Sequence, residues 1–283
     1  MKERIVAVIG PTASGKSRRA VEIALERNGE VISVDSRQVY RTLDIGTEKT
    51  TAEEMRGVPH HLIDIREPEE SYSAGEFVED ARRLITDITA RGKLPILAGG
   101  THFYFDALLT GLPGSAPSNP DLRKQLEART KEELFSELQA KDPRRAEHID
   151  PNNKRRLVRA LELVSHFGAV PERNSSDVQY DVEWYVIDPS KEELRERIDA
   201  RLRDALNRGL IEEVRSVRDR VGDARLNEFG LEYRIIGEYL RGERGEVSLL
   251  PSLSAKLWQY ARNQKKWLRK LTSNGYTPRS GRP

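Results

Sequence analysis

An eight-residue run near the N-terminus, Gly10-Pro11-Thr12-Ala13-Ser14-Gly15-Lys16-Ser17, constrains this chain more than any other feature. It follows an apolar run, Ile5 to Ile9, with the pattern of a buried strand. It precedes an amphipathic stretch, Ser17 to Arg27, with the spacing of a helix. Strand, glycine-rich turn and helix in that order read as a phosphate-binding loop. Gly10 and Gly15 permit the tight turn and a close approach of backbone to ligand. The N–H groups of the loop and of the helix start point at an anion. Lys16 adds a point charge for the outer phosphates, and the Ser17 hydroxyl suits a Mg²⁺ coordination shell. The loop alone does not say which phosphate compound is bound, or whether it reacts.

The 283 residues suffice for one large domain or a core with an insertion. Charged residues make up 33%, yet 48 basic against 46 acidic residues leave a net charge of +2, so any basic surface is local. The absence of cysteine excludes disulfides, thiolate zinc sites and cysteine nucleophiles, and fits a reducing cytoplasm. No signal-peptide pattern precedes the loop, and no apolar run approaches the roughly 18 residues that span a membrane.

Residues 4–110 alternate strands (Ile5–Ile9, Glu30–Val34, His61–Asp64, Leu94–Ala98) with helices (Ser17–Arg27, Thr51–Arg56, Ser73–Arg91, Thr101–Leu109). Such alternation predicts an α/β fold, a P-loop NTPase-like core with a parallel sheet flanked by helices. Its ligands sit beyond the carboxyl ends of the strands, where Gly10, Asp35 and Gly99–Thr101 should meet. A Gly/Pro/Ser-rich linker at 111–120 leads into predicted helices at 121–129, 131–140, 143–149 and 152–167. We therefore expect a core of 1–113 and 182–283 around a helical insertion domain, 114–181. A strand at Val182–Ile187 and helices at 190–208, 209–221, 228–241 and 252–271 complete the core, and the tail after Leu271 reads as disordered.

Asp35, in Asp35-Ser36-Arg37-Gln38-Val39-Tyr40, ends the second strand beside the loop. It suits a general base or a group near the Mg²⁺, or else it caps the following turn. Gln38 has the donor and acceptor to read an adenine edge, or makes an ordinary surface hydrogen bond. Thr101 caps a helix or bonds a ligand. His60-His61 lacks a third metal ligand and reads as structural. Lys154, Arg155, Arg156 and Arg159 open a helix that Asn152 or Asn153 should cap. Cations there oppose the helix dipole, so they await phosphate groups or nearby acids such as Glu147 and Glu162. The last helix carries an apolar stripe (Leu253, Leu257, Tyr260, Ala261, Gln264, Trp267, Leu268, Leu271). It also carries six cations (Lys256, Arg262, Lys265, Lys266, Arg269, Lys270) and no acid, which suits a nucleic-acid backbone. An arginine from among Arg201, Arg203 and Arg208 to Arg215 could fold over the loop, and the sequence does not choose among them.

Taken together, GPTASGKS (10–17), DSRQVY (35–40), GTEKTT (46–51), VPHHLID (58–64), YSAGEF (72–77) and GGTHFY (99–104) form an ordered set. DPRRAEHIDPNNKRRLVRALE (142–162), RIDARLRDALNRGLIEEVRSV (197–217) and QYARNQKKW (259–267) continue it. The set resembles the tRNA dimethylallyltransferases (tRNA isopentenyltransferases) of bacteria over nearly the whole chain. That resemblance implies transfer of a dimethylallyl group from dimethylallyl diphosphate to N6 of adenosine 37, next to the tRNA anticodon, with Mg²⁺. We expect no membrane and no obligatory protein partner. It implies Asp35 as general base, with Thr101 and Arg215 beside it in catalysis and Arg215 on the diphosphate. Gly10, Pro11, Thr12, Ala13, Ser14, Gly15, Lys16 and Ser17 hold the diphosphate, and Ser17 meets the metal. Asp35, Ser36, Arg37, Gln38, Thr101, Arg123, Arg155, Arg156, Arg159, Lys265 and Lys266 touch tRNA, whose anticodon stem-loop the insertion grips. The chain departs from the family's pattern at Arg37, Glu48, Thr50 and His102-Phe103. A small-molecule kinase or a nucleotide-switched RNA-binding protein would share the loop but not need this whole set.

Overall fold

The computed structural model describes residues 2–112, 114, 119–172, 180–273 and 279–280, with side chains through Arg269. The chain divides into two compact units, Met1–Leu108 with Gln179–Pro283, and Leu109–Val178.

The first unit begins β1 (Glu3–Ile9), α1 (Lys16–Arg27), β2 (Gly29–Ser33), α2 (Ala52–Met55), β3 (His60–His61), α3 (Ala74–Ala90), β4 (Leu94–Gly99) and α4 (His102–Thr110). In β1, Ile5, Val6, Val8 and Ile9 are all fully buried, as a central parallel strand covered on both faces requires. α1 and α3 pack on the sheet. The local chemistry sets their ends. Gly15, at φ +89°, starts α1, and Ser73 and Glu76 form a reciprocal capping box at the start of α3.

The second unit holds α5 (Pro120–Glu127), α6 (Lys131–Lys141), α7 (Pro143–Ala146) and α8 (Lys154–Phe167). Its core joins Leu126, Leu134, Leu138, Leu157, Leu161 and Val170. Of the two candidate caps, Asn153 is the one used: its side chain accepts from the Arg156 N–H at 3.2 Å.

The chain then returns to the first unit with β5 (Tyr180–Val186), α9 (Lys191–Asn207), α10 (Leu210–Leu226), α11 (Leu231–Leu240), α12 (Leu249–Ser273) and β6 (Arg279–Ser280). All sheet pairings are parallel, in the order β3-β2-β4-β1-β5-β6, the P-loop NTPase-like arrangement expected.

Three expectations change. The third strand is only His60–His61, because Leu62 and Asp64 take positive φ (+61° and +55°) and Asp64 turns to an ion pair with Lys49 at 2.6 Å. The helix expected to end at 221 does break there, at Gly222 (φ +74°, ψ 169°), but a further, unforeseen helical segment runs on to Leu226. Arg279–Ser280 pair with Tyr185 and Val186 rather than being disordered, while 274–278 and 281–283 lie outside the described residues. Among the described residues no helix is long and apolar enough to cross a membrane.

His60-His61 is structural, as expected. His61 Nε2 meets Glu30 at 2.8 Å, and His60 Nδ1 meets the Val58 carbonyl at 2.8 Å. Glu30 is 2% exposed and also takes Arg91, at 2.8 Å from Nη2, and Lys93 at 2.7 Å. The Arg91 guanidinium, helped by Lys93 and His61, holds this carboxyl far below the usual carboxylate range against the opposing effect of burial. Removing one partner of such a buried network costs about 3–5 kcal/mol. Glu30→Ala should therefore lower the unfolding free energy by about that much in denaturant titrations. A depressed folded pKa contributes stability above the unfolded value, so the deficit should be full at neutral pH and shrink below about pH 4. A deficit independent of pH would contradict the ionic origin.

Candidate functional site

Three strand ends build the site. A side chain at Gly10 would lie 2.5 Å from Ser14 Oγ and 2.7 Å from the Ile187 carbonyl oxygen, so only glycine lets β1 turn into the loop. At Gly99 an added Cβ would lie 2.1 Å from the Val34 oxygen. This contact, with Thr101 N–H donating to the Val34 carbonyl at 3.1 Å, brings the ends of β2 and β4 together. Thr101 Oγ1 then accepts the Ser36 N–H at 3.1 Å. Asp35 Oδ1 accepts from the N–H groups of Arg37 (2.8 Å) and Gln38 (3.4 Å), while Oδ2 has no hydrogen-bond partner among the described residues. Asp35 thus caps its turn with one oxygen and keeps the other available.

The loop is a cradle for an anion. Ser14 Oγ is buried without a hydrogen-bond partner among the described residues, and the first turn of α1 holds no acid. Lys16 Nζ donates back to the Pro11 carbonyl at 3.2 Å. Burial lowers the Lys16 pKa, with Asp35 and Glu48 opposing that shift. The Ser17 hydroxyl is exposed at the helix start. Among the described residues no cluster of three or more His, Asp or Glu could hold a metal. The donor set therefore fits only a hard cation that keeps its waters and takes its other oxygens from phosphate.

Two arginines of α9 reach the loop. Arg197 Nη1 donates to the Ser14 carbonyl at 3.0 Å. Arg201 donates to Thr12 Oγ1 and pairs with Glu48 at 2.6 Å and Glu232 at 3.1 Å. Burial raises the Glu232 pKa against the pull of Arg201. Arg215 does not join them. Its half-exposed guanidinium lies 3.9 Å from Glu212 on its own helix, because the neighbouring Val214 turns that face of α10 into the core and Arg215 outward. Of the two, Arg201 and not Arg215 is the arginine in contact with the loop among the described residues.

Gln264, counted with the apolar stripe of the last helix, is the group sequence reasoning missed. It is 3% exposed; its Oε1 accepts the Thr12 N–H at 2.8 Å and its Nε2 donates to the Gly100 carbonyl at 3.0 Å. An amide buried among apolar neighbours was the available signal. Trp267 stacks on His102, with centroids 4.1 Å apart at 8°. Burial, with Lys16 nearby, lowers the His102 pKa to about 4, so the ring is neutral at pH 7.

Other expected residues sort by partner. Gln38 is occupied within the fold: Nε2 donates to the Thr47 (3.3 Å) and Glu48 (3.0 Å) carbonyls and Oε1 accepts from Ser33 Oγ at 3.0 Å. Both of its donor positions and one acceptor position are thus engaged by its own chain. Arg37 has no ion pair among the described residues. Lys265 is not a free cation, for Asp188 at 2.6 Å and the Pro189 carbonyl at 2.7 Å hold it, 11% exposed. Lys266 is exposed, and the side chains of Lys270 and Leu271 lie outside the described residues. In the second unit, Glu162 takes Arg159 at 3.1 Å, the acid-balanced alternative for that cation, and also Arg123 at 2.7 Å, while Arg155 and Arg156 are exposed.

A sequence model described as IPP transferase matches residues 38–271. The chain belongs to the IPP transferase family. It is 43% identical to a tRNA dimethylallyltransferase of Thermomicrobium roseum over 95% of its own length and 84% of that protein. Among solved structures, it is similar to the full-length tRNA isopentenylpyrophosphate transferase of Bacillus halodurans (39% identity, TM-score 0.71, 95% of this chain and 87% of that one). A eukaryotic dimethylallyltransferase solved acting on tRNA aligns with a TM-score of 0.80 at 28% identity, covering 94% of this chain and 70% of that one. Within this IPP transferase chain the Gln264 bridge is open to a direct test. Gln264→Leu removes the partners of the part-buried Thr12 N–H and of the buried Gly100 carbonyl, at about 1–3 kcal/mol for the carbonyl. The thermal midpoint should fall, and the Thr12 amide should exchange faster with solvent; unchanged exchange would remove the bridge as the loop's anchor.

Proposed function

We propose that the chain moves a dimethylallyl group from dimethylallyl diphosphate to N6 of adenosine 37 in tRNA, releasing diphosphate. The observation that carries this reading is the juxtaposition of an anion cradle, with no acid in the first turn of α1 and with Lys16, Arg197 and Arg201 around it, and a capped turn that leaves one oxygen of Asp35 available. The names of the relatives support the same substrates.

The adenine amine attacks C1 of the dimethylallyl group. The C1–O bond breaks and its electron pair leaves with the diphosphate, while the N6 proton passes to Asp35. Loop N–H groups, Lys16 and Arg201 stabilise the charge gathering on the leaving group. Mg²⁺, held by the Ser17 hydroxyl and phosphate oxygens, would neutralise part of that charge. Thr101 keeps Ser36, and with it the Asp35 turn, against the end of β4. The target base must leave the anticodon stack to reach Asp35. Arg37, Lys266 and, on the insertion (114–181), Arg123, Arg155, Arg156 and Arg159 meet RNA phosphates. The reaction requires no protein partner and runs in the cytoplasm.

The test combines the protein with Mg²⁺, labelled dimethylallyl diphosphate and an anticodon stem-loop RNA. Label enters the RNA with wild type and falls by about 100-fold or more with Asp35→Asn or Arg201→Ala, whereas Arg215→Ala stays within about threefold. Phosphate moving from ATP to a small acceptor, with no label in RNA, would put a kinase in its place. Salt dependence separates the two lysines. Lys266→Ala should reduce the slope of log affinity against log salt by about 0.7, whereas Lys265→Ala lowers thermal stability and leaves the slope. The reverse pattern would exchange their roles.

A further inference from the structure

One carboxylate underlies the turn that follows β2. Glu213 of α10 takes four donors. The N–H groups of Asp44 and Ile45 reach Oε2 at 2.9 and 2.7 Å, and the Gly46 N–H and the Tyr233 hydroxyl reach Oε1 at 2.9 and 2.7 Å. Three successive N–H groups converging on one point form a nest for an anion, and here the chain supplies the anion itself. Tyr233 is fully buried, and a side chain at Gly46 would lie 2.8 Å from its ring, so the turn rests directly on α11.

Both arms of this arrangement end on the same arginine. From the turn, Glu48 pairs with Arg201 Nε at 2.6 Å; from α11, Glu232, the neighbour of Tyr233, pairs with Arg201 Nη2 at 3.1 Å. Arg201 in turn donates to Thr12 Oγ1 of the loop. Glu48 itself sits at a positive φ of +49°, a conformation that its surroundings must hold. Among the described residues Glu213 makes no hydrogen bond or ion pair to the loop, and it has no part in the transfer chemistry above.

We infer that Glu213 is a positioning residue for the transfer: its carboxylate fixes turn 44–48 so that Glu48 aims Arg201 at the phosphate loop. The inference rests on the role proposed for Arg201. Glutamine at 213 supplies one acceptor oxygen and one donor group, so at least two of the four donors lose their acceptor.

A double-mutant cycle tests it. Single-turnover transfer is measured with Mg²⁺, dimethylallyl diphosphate and stem-loop RNA for wild type, Glu213→Gln, Arg201→Ala and the double variant. Glu213→Gln should slow transfer roughly tenfold in the wild-type background, leave the half-saturating RNA concentration unchanged, and cost less than about twofold once Arg201 is gone. Equal losses in both backgrounds, or no loss in wild type, would overturn the relay. Wild-type transfer with an unaffected Arg201→Ala would remove both the arginine's role and the relay, and no label with wild type would remove the transferase reading itself. Tyr233→Phe keeps the buried ring and deletes one donor of the four. It should slow transfer about two- to threefold only while Arg201 is present, which decides the matter if Glu213→Gln does not fold.

Discussion

A bare backbone contact sets the geometry on which everything else depends. Where β4 ends, the chain passes so close to the Val34 carbonyl that no side chain fits at Gly99. That closeness lets Thr101 bond both the Val34 carbonyl and the Ser36 N–H, and so ties the Asp35 turn to the end of a neighbouring strand. The phosphate loop on β1 lies beside β4 in the same sheet. A base and an anion cradle are therefore aligned by main-chain packing, which is stiffer than any salt bridge at a surface.

Charge is arranged around that frame in layers. Lys16, Arg197 and Arg201 face the loop, and each finds a partner in the protein: a loop carbonyl for Lys16 and Arg197, two carboxylates and the Thr12 hydroxyl for Arg201. Elsewhere cations are either spent within the fold, as at Lys265, or exposed, as at Lys266, Arg155 and Arg156. A net charge of +2 thus coexists with local surfaces suited to a polyanion.

Much of this was legible in the sequence because it is local chemistry. Glycines at forced contacts, a strand before and a helix after, and an aspartate at a strand end read correctly without tertiary knowledge. What the sequence left open depended on helix phase. Arg201 and Arg215 both stand on charged helices, but Arg197 and Arg201 lie four apart beside the buried stripe Leu194, Ile198 and Leu202. Lys265 and Lys266 are adjacent, yet Lys265 is four residues from Ala261 and three from Leu268, on the buried side. Gln264 was lost because its spacing matched the stripe and its amide was ignored. Gln38 shows the limit of residue-type reasoning: its amide suits a base edge equally well as two carbonyls of its own chain.

The pairing of Arg279–Ser280 with β5 has a practical side. An uncovered outer strand offers a row of free N–H and carbonyl groups to any other chain, the usual start of edge-to-edge clumping. Two residues near the far end of the sequence cap part of that row. Trimming them, or fusing a tag directly behind them, would trade a covered margin for a sticky one, and the first sign would be poor behaviour on storage at high concentration rather than lost chemistry.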